Sequence, residues 1–101
     1  MKSKKTRSKK ILRGTKVTVK LTLRELELIR DETFYDPNFA QLAVMDGKGI
    51  AIDLSLDEIE DVQGYVAAEA NHTKDAKLEK ELDRLLNKLQ SYLDKYEEQD
   101  E

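Results

Sequence analysis

The sequence predicts an α+β fold: two or three short strands, one short helix and a long C-terminal helical hairpin. Three patterns predict it. Lys16–Leu21 alternates polar and apolar residues, as a half-buried strand does. Leu56, Ile59, Val62, Val66 and Ala70 recur at helical spacing. Leu78, Leu82, Leu85, Leu89, Tyr92 and Tyr96 then follow at steps of four, three, four, three and four, a seven-residue apolar repeat.

In chain order, residues 1–16 carry eight Lys or Arg and no acid, which leaves ten basic groups against 21 acids in the rest, a balance of −11. Polar and self-repelling, this segment is expected to be a disordered basic arm. Lys4, Lys5, Arg7, Lys9, Lys10 and Arg13 are its candidate nucleic-acid contacts. The competing reading is a solvated tail resting on the protein's own acidic surface. One domain is expected over residues 17–97, with 98–101 as an acidic tail.

After the strand, Thr22-Leu-Arg-Glu25 matches a capping box. The Thr hydroxyl accepts from the backbone three residues on, and Glu25 reaches back. It opens a short helix to about Asp31, unless the alternation carries on as a strand to Leu23. Thirty-three positions later the pattern repeats, with Leu54, Ser55, Glu58 and Val62 in the places of Leu21, Thr22, Glu25 and Ile29. Each copy reads as a strand end, a hydroxyl cap and a helix start.

Between the copies, Phe34–Phe39 reads as a turn with Asp36-Pro37 as its start. Gln41–Met45 is a short strand or the end of a helix begun at Pro37. The turn Asp46-Gly-Lys-Gly49 and the run Ile50–Leu54 favour a hairpin. The same turn lacks the glycine spacing and Lys-Ser/Thr ending of a phosphate loop.

The Ser55-capped helix is expected to reach about Ala70. Asp61, Gly64, Tyr65, Ala68 and His72 share its far side. Gly64 costs about 1 kcal/mol there relative to Ala, so another backbone is expected to approach closely. A second helix from about Asp75 is expected to run into the acidic tail. Roughly 20 residues at 1.5 Å span about 30 Å, longer than so small a domain easily covers. A dimer interface of Gly64, Ala68, Leu78, Leu82, Leu85, Leu89 and Tyr92 would solve that. Lys77, Lys80, Arg84, Lys88 and Lys95 lie along one flank, with Asp75, Glu79, Asp83 and Glu97 toward the other. That division suits an antiparallel copy or the acidic start of the Leu56 helix.

Composition narrows the chemistry. The absence of Cys excludes disulfides, thiolate metal sites and cysteine catalysis. No stretch approaches a membrane span, and the basic start lacks the apolar core of a secretory signal, which points to the cytoplasm. Glu69 and His72 have the spacing of two metal ligands on one helix, but there is a single His. A capping or turn role for His72 is favoured, with no metal and no cofactor. Of the acids Asp57, Glu58, Glu60 and Asp61, three sit in the first turns of a capped helix, where its dipole favours them. No catalytic residue is expected.

The string Gly64-Tyr-Val-Ala-Ala-Glu-Ala-Asn-His-Thr73, followed by Lys-Asp and the Leu-rich helix, resembles a small uncharacterised family of bacterial proteins. It is also similar to a segment appended to plasmid ORF-3-like proteins. The resemblance covers about Val17 to Leu89 and implies a bacterial, cytoplasmic protein, with no catalytic residue. The expected function is a non-catalytic interaction or regulatory module, dimerising through its C-terminal helices. The alternative is a nucleic-acid-associated accessory protein using the Lys-rich arm.

Overall fold

A computed structural model describes residues 8–99. The alternation at Lys16–Leu21 becomes strand β2, with Val17, Val19 and Leu21 buried and the residues between them exposed. β1 (Lys9–Leu12) precedes it, and helix α1 (Leu23–Glu32) follows. A 3₁₀ turn at Pro37–Leu42 leads to β3 (Val44–Asp46) and β4 (Gly49–Ser55). Helices α2 (Leu56–His72) and α3 (Ala76–Lys95) come next, and strand β5 (Tyr96–Gln99) closes the described chain.

Both capping boxes form. Thr22 and Ser55 each accept from the amide three residues on, and Glu25 and Glu58 reach back to the cap amides at 2.8 Å. The repeated pattern is therefore a repeated β-to-α junction. Its two strands lie side by side, since β2 pairs antiparallel with β4, Val19 opposite Ile52. Thr33 stops α1, its buried hydroxyl donating to the Ile29 carbonyl at 2.6 Å and accepting from the Tyr35 amide. Pro37 opens the 3₁₀ turn, and Gly47, at φ +64°, makes the β3–β4 hairpin turn.

The main sheet runs β2-β4-β3. Its inner face joins Leu56, Ile59, Val62 and Val66 of α2 and Leu82, Leu85 and Leu89 of α3 in one core. The outer face is solvated, with Thr18 bonded to Asp53 at 2.8 Å and Lys20 paired with Asp46 at 2.6 Å. The Tyr92 hydroxyl accepts from the Lys20 amide at 2.9 Å and so meets the free edge of β2.

Three expectations are corrected. The segment expected as a disordered arm contributes β1, which runs parallel to β5, so the folded unit extends on both sides of 17–97. Lys4, Lys5 and Arg7, with the last two acids of the tail, lie outside the described residues. The last helix does not enter the tail. It ends at Lys95, whose ammonium sits 4.7 Å from the centre of the Tyr92 ring, and Tyr96 is already extended at φ −129°. Finally, within the protomer and among the described residues, the ion pairs that α3 makes with another helix go to α1 and not to the acidic start of α2. Arg24 of α1 holds Glu81 through two bonds of 2.8 and 3.0 Å, and Lys88 reaches Glu25 at 2.7 Å.

Candidate functional site

Of the expected interface, the structure divides the residues into two sets. Leu82, Leu85 and Leu89 are 0%, 0% and 1% exposed, and Leu78 and Tyr92 pack half-buried against the same core. Leu82, Leu85 and Leu89 are thus spent on the protomer's own core, while Leu78 and Tyr92 keep part of their surface exposed. The long helix needs no second chain, because α2, α1, β2 and β5 share its length. Gly64 and Ala68 face solvent instead. A Cβ at Gly64 would meet nothing within 4 Å, so the close approach expected there is not made among the described residues.

An apolar surface accompanies them. Phe34, just past the end of α1, is 89% exposed. Tyr65, 44% exposed, stands edge-on to the Tyr35 ring at 5.5 Å, and Tyr35 meets Phe39 at the same distance. Tyr35 thus braces Tyr65 against the core residue Phe39. Phe34, Tyr65, Ala68, Glu69 and His72 line an open groove of about 370 Å³. On the other side of Gly64 lies a depression of about 390 Å³ between α2 and α3, which includes Ala67 and Leu86. Gln63 and Gln90 bridge those helices at 2.8 Å.

The surroundings are acidic. Burial first, then the charges of Glu58, Asp61 and Asp36, raise the Tyr35 hydroxyl above its ordinary pKa. Glu58 itself is held below the usual carboxylate range, chiefly by the hydrogen bond from Lys16 and then by the Ser55 amide.

His72 rims the groove and does not cap the turn. Among the described residues it makes no hydrogen bond or ion pair. The α2–α3 turn is held by the Thr73 amide donating to the Glu69 carbonyl at 2.8 Å and by the Asp75 amide donating to the Thr73 hydroxyl at 3.1 Å. The Asp75 carboxylate accepts from the Lys77 and Leu78 amides. Among the described residues no three His, Asp or Glu side chains gather as metal ligands. No described helix is long and apolar enough to cross a membrane.

The remaining candidates lie on the β1 side. Lys9 and Lys10 are exposed and, among the described residues, carry no ion pair. Arg13 sits 3.7 Å from Glu98. The sequence signal missed was Phe34, a large aromatic in a stretch that reads as a turn.

Comparison of the chain with family models, with curated proteins and with solved structures finds no match. The resemblance at Gly64–Thr73 therefore adds nothing to the geometry.

Proposed function

We propose that the chain is a non-catalytic interaction module that pairs with a second copy of itself through the outer face of α2. The observation that carries this reading is Phe34, 89% exposed beside an apolar groove on a chain with six aromatic residues. Large apolar groups grouped on a surface mark places where a partner sits. A protruding ring beside a groove is self-complementary, which is what a two-fold interface requires.

Helix polarity favours a second copy in the antiparallel sense, each negative C-terminal end lying beside the partner's positive N-terminal end. Acids gather at the start of α2, and its last turn carries His72. A two-fold axis near Val66–Ala67 sets Asp61 opposite the partner's His72 and Tyr65 opposite the partner's Ala68. Each Phe34 then lies toward the partner's Asp61–Gly64 turn, where the missing side chain leaves room. Sedimentation equilibrium at micromolar concentration tests this. The expected mass is twice 11.7 kDa for the native chain and 11.7 kDa for Phe34→Ser. A native chain that stays monomeric overturns the reading.

A second reading is favoured by Lys9 and Lys10, which β1 presents to solvent as a fixed pair of charges. It is a nucleic-acid accessory role, with Arg13 and the preceding lysines adding phosphate contacts. Binding of this kind is sequence-tolerant and falls steeply with salt. Replacing Lys9 and Lys10 by Gln is expected to weaken duplex binding and lower the salt slope by about 0.9 for each phosphate no longer neutralised.

A further inference from the structure

The two ends of the described chain meet in a sheet of their own. β1 and β5 run parallel, with Lys9 beside Tyr96, Lys10 beside Glu97, Ile11 beside Glu98 and Leu12 beside Gln99. Charge is sorted across the ribbon, lysines on one strand and glutamates on the other. Glu98 is the anchor. Its carboxylate lies 3.7 Å from Arg13 and accepts from the Gly14 amide at 3.3 Å, in a turn that Gly14 enters at φ +88°. The Arg13 amide donates to the Gln99 carbonyl, and the Ser8 hydroxyl to the Asp94 carbonyl.

Core packing contributes little to this ribbon. A parallel pair is the weaker kind of ladder, and two strands without a third are marginal alone. From the two strands only Ile11 and Tyr96 pack, half-buried, against the core. Glu98, which ties down the turn after β1, and Glu97, in register beside Lys10, also put negative charge where a phosphate would approach Lys9 and Lys10. The sequence continues past Gln99 with two further acids.

We propose that β5 is an autoinhibitory electrostatic cover on the basic segment: its acids, set in register beside the exposed Lys9 and Lys10, repel approaching phosphates and hold down the affinity of β1 for nucleic acid. This rests on the nucleic-acid reading above. Nucleic acid is favoured over a lipid surface because a surface-binding segment needs an apolar face. β1 has one exposed large apolar residue, Leu12. Removing like-sign repulsion from the edge of a binding surface lets an anionic ligand bind more tightly.

The test uses the full chain with Glu97→Gln and Glu98→Gln together, which removes two charges and leaves an oxygen to accept from the Gly14 amide. Affinity for a labelled mixed-sequence single-stranded oligonucleotide is read by fluorescence anisotropy at low salt. The double variant is expected to bind roughly ten-fold more tightly than the native chain, two close charges at up to about 0.7 kcal/mol each. Adding Lys9→Gln and Lys10→Gln should erase the gain. Asp57→Asn with Asp83→Asn, an equal change of net charge elsewhere, should not reproduce it. Equal affinity of the native chain and the Glu97/Glu98 variant overturns the cover and leaves the nucleic-acid reading standing. Binding by neither overturns both. A gain matched by the Asp57/Asp83 variant overturns the cover in favour of simple net charge.

Discussion

The inward face of α3 and the outward face of α2 are both regular at helical spacing, and they have opposite fates. Leu82, Leu85 and Leu89 vanish into the protomer, while Gly64, Tyr65 and Ala68 stay on its surface. Periodicity says that a face prefers burial and says nothing of what buries it. For α3 the cover comes from the same chain. For α2, whose opposite face already carries Leu56, Ile59, Val62 and Val66, the outer stripe is left over. Small residues and a braced aromatic there suit a contact that another copy completes.

Substitutions on the two faces should separate these roles. Leu85→Ala is the largest expected loss, about 2–5 kcal/mol by urea unfolding, since the side chain is fully buried and leaves a cavity. Capping comes next. Ser55→Ala should cost about 1–2 kcal/mol and Thr22→Ala about 1 kcal/mol, because Ser55 is buried and starts the longer helix. A reversed order would mean that α2 is held by its packing alone.

Gly64→Ala carries the opposite sign. With open space around it, the added methyl should stabilise the protomer by about 1 kcal/mol. At high protein concentration that gain should shrink, as the methyl crowds the two-fold contact and weakens association. A gain independent of concentration would detach Gly64 from any interface.

The smallest effect concerns acid. Glu58 and Glu81 are held below their ordinary pKa, Glu58 first by Lys16 and Glu81 first by Arg24. The unfolded chain takes up these protons more readily, so the stabilisation is present above the ordinary carboxylate value of about 4.3. It fades as pH falls through the lower folded values. The Glu58 side chain is 38% exposed, so solvent screens much of its share. Glu58→Gln should flatten the acid limb of stability against pH, read by urea melts from about pH 6 to about pH 3. An unchanged limb would assign the acid response to other carboxylates.

How much was legible follows from the range of each signal. The capping boxes, the core stripe of α2 and the hairpin at Gly47 are local patterns, and each formed where its residues stand. The β1–β5 ribbon joins segments more than eighty positions apart, as the Ser8–Asp94 bond illustrates. Lys-Lys-Ile-Leu and Tyr-Glu-Glu-Gln are too short and charged to announce strands alone. Gly64 and Ala68 could be singled out because Gly is costly inside a helix. Phe34 left only a weaker mark, a large aromatic in a turn, because exposure of a turn residue leaves no periodic trace.

The central claim, a two-fold contact through the outer face of α2, is tested most directly by a distance. The chain has no Cys, so Asn71→Cys with a nitroxide label places one spin per protomer on the exposed last turn of α2. About nine residues of helix separate Asn71 from its counterpart in the antiparallel pairing, near 14 Å along the axis, with roughly 10 Å across it. Pulsed dipolar spectroscopy should therefore report a single short distance, roughly 15–25 Å once the label tethers are included. Phe34→Ser should abolish it. A distance beyond about 35 Å, which this geometry cannot reach, or no dipolar coupling at all, would contradict the account.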